Sequence, residues 1–436
     1  MKYYSTNHNA ELVTLKDAII RGLAPDRGLY MPERIPSIPT AFFKHIGEMS
    51  LQDIAYVVAN TLFGEDMESA SLKSLIDETL NFDIPLVKVA DDKYSLELFH
   101  GPTLAFKDVG ARFMARMLAY FNKRGSADRT IHVLVATSGD TGSAVANGFL
   151  NVPGVHVHVL YPKGKVSPIQ EAQFTTLGNN ITALEVDGTF DDCQAMVKAA
   201  FSDQEVSSKL YLTSANSINV ARFLPQMFYY YHAYAQLMRD GVDMKNVVVA
   251  VPSGNFGNIC SALIAKRMGL PIKRFIAANN RNDVFFQYLA TGNYTPRPSV
   301  PTIANAMDVG DPSNFARILD LYGNSHERIC TDISGCTYDD DTIRHTIKEE
   351  YDRSGYLLDP HGAVAYRALQ EHLNPGETGV FLETAHPAKF KETVESVIGK
   401  NVPVPKRLSA FLSGEKRVVK MSALYPAFKK YLLACD

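Results

Sequence analysis

Val247-Val-Val-Ala-Val-Pro-Ser-Gly-Asn-Phe-Gly-Asn258 is the stretch that decides the fold. The run 247–251 is β-branched or small and wholly apolar, which predicts a strand covered on both faces. Pro252 withdraws a ladder donor, Gly254 and Gly257 permit a tight turn, and 258–268 reads as a helix. A buried strand that empties through a glycine-bearing turn into a helix is the repeating unit of a parallel sheet. Such a turn also points successive amides inward beside the positive end of a helix, an arrangement that holds phosphate. The Gly-Lys-Ser/Thr of a Walker loop and the GxGxxG spacing are both missing. The competing reading is a turn that uses glycine for its shape alone.

Outward from this stretch the same texture recurs. Strands are expected at 131–136, 155–160, 181–186, 272–277 and 379–382, with helices at 168–177 and 190–201 between them, an alternation that predicts an α/β fold. Residues up to about 90 read mostly as helices, through the spacing of Leu51, Ile54, Ala55 and Val58. The stretch 292–312, rich in Pro and Asn, is expected to loop over a surface or cover a site.

Three further segments carry chemistry. In His100-Gly-Pro-Thr-Leu-Ala-Phe-Lys-Asp108, Gly101 and Pro102 stiffen the chain, and Lys107 stands beside apolar residues at a helix entrance. Desolvation and the helix dipole both disfavour the protonated amine there, as Schiff-base chemistry requires. A surface lysine on a first helical turn is the plain alternative. After the strand at 131–136, Thr137-Ser-Gly-Asp-Thr-Gly-Ser143 gathers hydroxyls and amides at a helix start. Ser138, Gly139, Asp140 and Thr141 there suit a carboxylate, although N-capping would use the same residues. The strand at 379–382 ends in Glu383, Thr384, Ala385 and His386, and ligands of open α/β sheets lie beyond strand carboxyl ends. Thr384 is thus placed to reach a bound molecule, whereas His386 and Lys389 read as helix-start residues. The polar cluster Thr213 to Arg222 offers hydroxyl, amide and guanidinium donors for a phosphate, or simple caps. His156 and His158 share one face of a strand with no third ligand indicated, so no metal site is expected.

Composition narrows the class. At 436 residues the chain exceeds one ordinary core, and two or three domains are expected. Lys and Arg number 44 against 47 Asp and Glu, without basic runs, so no nucleic-acid partner is expected. No apolar stretch approaches membrane-spanning length, and residues 1–21 carry no apolar core with a small-residue cleavage site. A cytoplasmic location without a membrane partner follows as the expectation. Five scattered cysteines without a CxxC pair point to reduced thiols. No GxSxG elbow is present.

A loop lysine, a glycine-bearing phosphate cup and a strand-end threonine, in that order, resemble the pyridoxal phosphate enzymes of fold type II, a tryptophan synthase β-like superfamily. Glu97 to Asp108, Thr137 to Ser143, Asn216 to Arg222 and Pro252 to Asn258 look most like the threonine synthase family in its short microbial and fungal branch. The likeness spans nearly the whole chain. It implies two lobes, each with a mainly parallel open twisted sheet flanked by helices, and a mostly helical N-terminal domain over 1–95. The catalytic region would span 96–400, its smaller lobe about 110–215, and 401–436 would be an extension packed on the larger lobe. Carried over by position, Lys107 is the catalytic Schiff-base lysine, and Gly254, Asn255, Phe256, Gly257 and Asn258 hold the phosphate of pyridoxal 5'-phosphate. Thr384 meets its pyridine nitrogen. Ser138, Gly139, Asp140 and Thr141 would bind substrate, Asp140 standing where many relatives carry asparagine. Lys163, Ser214, Asn216 and Arg222 would retain the departing phosphate. The implied reaction converts O-phospho-L-homoserine and water to L-threonine and phosphate, with the enzyme a monomer or homodimer. The nearest alternative is a related phospholyase releasing a 2-oxo acid and ammonia, and a more distant one is a non-catalytic anion-binding module.

Overall fold

The computed structural model describes residues 1–124 and 130–435. They form two compact units: a larger one of Met1, Met31–Phe106 and Phe223–Pro403, and a smaller one of Lys2–Tyr30, Lys107–Arg222 and Val404–Asp436.

The larger unit is built on a six-stranded sheet. Its order is Ile333–Thr337, Arg274–Asn279, Val247–Pro252, Thr378–Glu383, Lys93–Glu97 and Leu86–Ala90, parallel except for the last strand. Val247–Pro252 is interior and buried at every residue, as an apolar run without alternation requires. The helix that follows it, Gly257–Arg267, is buried from Gly257 to Ala265, which explains why it shows no polar face. Register positions the site. Ala250 stands opposite Phe381 on the neighbouring parallel strand, so Ser253 and Thr384, each three residues further on, leave adjacent strands at the same carboxyl edge. The strand expected at 272–277 lies at Arg274–Asn279, because Pro271 and the Ile272 turn keep the first two residues out of the ladder. Leu86–Ala90, Lys93–Glu97 and Ile333–Thr337 were not foreseen; with Lys, Ser and Gly among them, they lack the apolar runs of the interior strands.

The smaller unit carries a five-stranded sheet, all parallel, in the order Val419–Ser422, Ile181–Asp187, Val155–Pro162, Ile131–Ala136 and Tyr211–Ser214. Lys107–Lys123 and Asp140–Phe149 are among its helices. Residues 401–403 stay with the larger unit and Val404–Asp436 groups with the smaller: Val419–Ser422 adds an edge strand to Ile181–Asp187, and Phe428 and Leu432 enter a core with Leu134, Leu160 and Leu184. Apolar residues of the amphipathic helix Tyr425–Leu432 find their cover there. The N-terminal segment is likewise divided. Lys2–Ser5 pairs with Val13–Thr14 in the smaller unit, while the helices Leu51–Phe63 and Ser69–Thr79 belong to the larger.

The loop expected at 292–312 exists, with a single 3-10 turn at Asn305–Met307. Asp308 pins it: its carboxylate accepts from Thr302 Oγ1 at 2.7 Å, Asn280 Nδ2 at 2.8 Å and Asn282 Nδ2 at 3.0 Å. The pinned strap lies on the phosphate turn, since a Cβ on Gly254 would stand 2.9 Å from both Ala306 O and Met307 Cα. Glycine at 254 is the condition for that approach.

Candidate active site

In the larger unit the turn after Val247–Pro252 is strained and then held. Phe256, the N-cap of Gly257–Arg267, is left-handed at φ 63°, a conformation that an aromatic side chain adopts only under constraint. The constraint is packing against Phe285, with ring centroids 4.6 Å apart, and Phe285 in turn abuts Phe315. Asn255 has both oxygens taken by the next turn: Ser313 N–H donates to Oδ1 at 2.7 Å and Asn314 Nδ2 to the carbonyl at 2.9 Å. Asn314 is itself fixed by the fully buried Arg317, whose Nη1 donates to its Oδ1 at 2.5 Å and whose guanidinium lies 4.0 Å over Phe223. Burial lowers the Arg317 pKa to about 10, which leaves it cationic at neutral pH behind the turn. Asn258 is 7% exposed; its Oδ1 accepts from two tyrosine hydroxyls, and its Nδ2 is buried with no partner among the described residues.

The segment around Thr384 is tied to the loop that precedes Lys107. Phe106 N–H donates to Thr384 O at 2.9 Å, His386 N–H to Leu104 O at 3.1 Å, and the buried Lys389 Nζ to Thr103 O at 2.9 Å. Leu104 pays for this loop with a left-handed φ of 57°. His386 is a cap, as expected, its Nδ1 accepting from Ala388 N–H at 3.1 Å. Lys389 lies in the 3-10 turn Pro387–Phe390, at a helix start as expected, and also anchors the lysine loop.

Beneath Thr384 the charges are arranged in a pair. Burial and the neighbouring Asp359 push the Glu383 carboxyl well above its ordinary pKa, so it stays protonated. Asp359 is lowered although burial opposes it, because His361 Nδ1 donates to it at 2.5 Å. His361 Nε2 then accepts from Ala306 N–H at 3.2 Å, which links that pair to the strap. His386 is neutral as well, lowered to about 4 by burial and by His100.

In the smaller unit Lys107 is half-buried as the first residue of Lys107–Lys123. One turn later, a Cβ at Gly110 would strike the carbonyl of Arg222, so glycine lets the Asn219 to Arg222 turn close on the helix. Arg222 is 3% exposed; burial lowers it to about 10, and the charge of buried Asp108 opposes that. Ser214 lies at the end of Tyr211–Ser214, with its Oγ accepting from Asn216 N–H at 3.3 Å, and Asn216 Oδ1 is buried without a partner among the described residues. Lys163 is exposed just beyond Val155–Pro162. In the loop at 137–143, Thr137 Oγ1 accepts the amides of Gly139 at 2.9 Å and Gly142 at 2.8 Å, so those two donors stabilise the turn itself. Asp140 is buried, and its Oδ1 accepts from Gln170 Nε2 at 2.9 Å. Gln170 also fills the space over Gly139, where φ is 146° and a Cβ would meet it at 2.6 Å. The histidine pair on Val155–Pro162 gains the third ring that sequence did not indicate: register sets His132 opposite His156. The three rings stack, 4.6 Å apart for His156 and His158 and 5.3 Å for His132 and His158, the latter two sharing a hydrogen at 3.0 Å. Among the described residues no group of His, Cys, Asp and Glu is arranged to hold a metal.

A parallel sheet whose strand-end turn, strand-end threonine and tethered lysine loop occur together defines the fold type II class of pyridoxal phosphate enzymes. The profile of pyridoxal-phosphate dependent enzymes matches residues 94–384, and those of the threonine synthase N terminus and C-terminal region match 2–80 and 362–432. Threonine synthase of Haemophilus influenzae is 46% identical over 408 residues, 94% of each chain. The crystal structure of the Escherichia coli threonine synthase superposes with a TM-score of 0.93 at 41% identity, covering 100% of both chains. That of pyridoxal phosphate-bound threonine synthase from Brucella melitensis gives 0.92 at 33% identity, covering 99% of this chain and 98% of the other. The chain belongs to the threonine synthase family, and pyridoxal phosphate is its cofactor.

The residues present fit that group. A phosphate dianion needs donors and no acceptors, and the turn at 253–258 has the oxygens of both asparagine side chains drawn away while Asn258 Nδ2 is left buried and unmatched. Sequence reasoning missed the supports of this turn, Tyr229, Tyr230, Asn314 and Arg317. The aromatic run at 228–231 was visible, but at helical spacing it reads as core.

Proposed function

We infer that the chain is a threonine synthase acting on O-phospho-L-homoserine and water, releasing L-threonine and phosphate. The observation that carries the residue assignments is the turn at 253–258, where an unmatched buried amide nitrogen meets a left-handed Phe256 at a helix start. Gly254, Asn255, Phe256, Gly257 and Asn258 would hold the cofactor phosphate with amide hydrogens and the helix end. Thr384 would place a neutral hydroxyl at the pyridine nitrogen. The protonated Glu383 and neutral His386 nearby support this, since neither adds a charge that would force that nitrogen to ionise.

Pyridoxal phosphate, when bound, supplies an electron sink that acidifies carbons next to the substrate's amino-bearing carbon. Lys107 Nζ would hold the cofactor and, once displaced by substrate, take the α-proton and return protons along the carbon chain. Ser138, Gly139, Asp140 and Thr141 would orient the substrate carboxylate, with Ser138, Asp140 and Thr141 supplying the donors because the Gly139 amide is spent on Thr137. The Asp140 carboxylate is turned to Gln170, which supports a role for its backbone amide rather than its side chain. Lys163, Ser214, Asn216 and Arg222 would keep the phosphate after it leaves the γ-carbon, so that it lies by when water adds to the β-carbon. Arg222 is better suited to fix that turn against Gly110 than to reach outward.

No helix among the described residues is long and apolar enough to cross a membrane, and the five cysteines are unpaired. We place the enzyme in the cytoplasm as a monomer or homodimer, as the family likeness implies. The test is to incubate the purified protein with O-phosphohomoserine and measure threonine and phosphate together. Equal amounts support the assignment; 2-oxobutyrate and ammonia in place of threonine would reassign the chain to the phospholyase chemistry.

A further inference from the structure

Tyr229 and Tyr230 are consecutive in the helix Met227–Arg239, where neighbouring side chains point about 100° apart and do not ordinarily meet. Here both hydroxyls converge on one atom, Oδ1 of Asn258, at 2.7 and 2.6 Å. Those lengths are those of O–H···O bonds; an amide N–H donor would stand nearer 2.9 Å, so the oxygen of Asn258 is the atom that faces the tyrosines. Tyr229 also lies 3.3 Å from Gln226 Oε1, a longer and weaker alternative for its proton. Burial pushes both phenols well above their ordinary pKa, with Tyr230 adding to the effect on Tyr229, so both keep a proton to donate at any working pH. The oxygen of Asn258 is therefore doubly satisfied. Among the described residues its Nδ2 has no partner, although the residue is 7% exposed. A buried amide with one end bonded twice and the other not at all costs stability unless a ligand completes it.

We propose that Tyr229 and Tyr230 are positioning residues that lock the Asn258 carboxamide with its NH2 reserved for the cofactor phosphate. The proposal rests on the assignment of the turn at 253–258 to that phosphate. The lock selects against acceptors: a free amide could rotate its oxygen toward the anion, and two donors on that oxygen prevent it. It is also redundant, because either hydroxyl alone can hold the oxygen. The Asn255 side chain is treated the same way, its Oδ1 held by Ser313 N–H.

The experiment titrates the full-length protein, stripped of cofactor, with pyridoxal phosphate and separately with pyridoxal, which lacks the phosphate. In Tyr229→Phe/Tyr230→Phe the dissociation constant for pyridoxal phosphate is expected to rise about ten-fold, as for loss of one charge-assisted hydrogen bond, with that for pyridoxal unchanged. Each single Phe variant is expected to shift it less than about three-fold, since one hydroxyl remains. Wild-type affinity in the double variant, or an equal loss for pyridoxal, would overturn the lock. Asn258→Asp provides an arm independent of the tyrosines' packing: its second oxygen occupies the place of the NH2, and it should bind pyridoxal phosphate more weakly than Asn258→Ala does. Tighter or equal binding by Asn258→Asp counts against the proposal. Asn258→Ala separates the two layers of inference. If it binds pyridoxal phosphate as wild type does, the assignment of the turn is wrong; if it binds weakly while the double Phe variant is normal, only the lock is wrong.

Discussion

Phe106 donates its backbone N–H to the carbonyl of Thr384 across 2.9 Å, although 278 positions separate them in the chain. The residue before Lys107 is thereby fastened to the residue at the end of Thr378–Glu383, and a bridge between Ala105 and Ala385 extends the attachment. The loop 101–106 is held at a sheet edge whose position is set by register with Val247–Pro252, the strand that leads into the turn at 253–258.

Lys107→Ala is expected to remove the visible absorbance of lysine-bound cofactor and to reduce threonine formation by at least about a thousand-fold, since both the attachment and the proton-moving amine are lost. Visible spectra of the purified variant and a threonine assay measure the two effects. Turnover near the wild-type rate would remove Lys107 from its assigned place.

Lys389→Met keeps most of the side-chain volume but leaves the Thr103 carbonyl without its buried donor. The expected cost is about 1–3 kcal/mol of stability, read from urea unfolding of the cofactor-free protein. Because the loop it anchors ends at Lys107, kcat should fall as well, with the dissociation constant for inorganic phosphate unchanged. A variant with normal stability and normal kcat would show that the bond holds nothing.

Gly254→Ala introduces a Cβ 2.9 Å from the backbone of Ala306 and Met307, neither of which can yield as a flexible side-chain tip would. Displacing the strap should destabilise the chain by about 1–3 kcal/mol and weaken pyridoxal phosphate binding more than pyridoxal binding. Thermal melts and the two cofactor titrations check it.

The buried acids and histidines give stability opposite slopes with pH. Glu383 holds its proton in the folded chain, while an unfolded glutamate releases it above about pH 4.3. Over that range the folded state binds more protons, so stability falls as pH rises, by up to about 1.4 kcal/mol per unit from this group until its folded pKa is reached. Glu383→Gln, which supplies a neutral donor to Asp359, should remove that slope and stabilise the protein increasingly toward pH 8. His232 and His386 are lowered to about 4, in each case chiefly by burial. Their contribution is present above the unfolded value of about 6.5 and is lost as pH falls from there toward 4. Urea midpoints of the wild type and Glu383→Gln from pH 5 to 8 test both signs; parallel curves would mean that Glu383 is ionised when folded.

The sequence by itself determined the parts whose information is local. The apolar run at 247–251, the paired glycines after it and the stiff approach to Lys107 each lie within a dozen residues, and strand, turn and helix start follow from backbone sterics and periodicity at that range. Strands at 131–136 and 181–186 were legible for the same reason, the second extending to Asp187. What sequence left undecided was partnership. Val419–Ser422 is a short, mostly exposed run that gains meaning only on the edge of Ile181–Asp187. Tyr229 and Tyr230 look like core until Asn258 comes to lie between their hydroxyls, Lys389 looks like a cap residue until Thr103 meets it, and His132 joins His156 and His158 only through strand register. Such contacts join residues up to nearly 300 positions apart, and they depend on which apolar faces bury one another and in what register. Local chemistry therefore named the groups that act; tertiary packing chose the residues that hold them still.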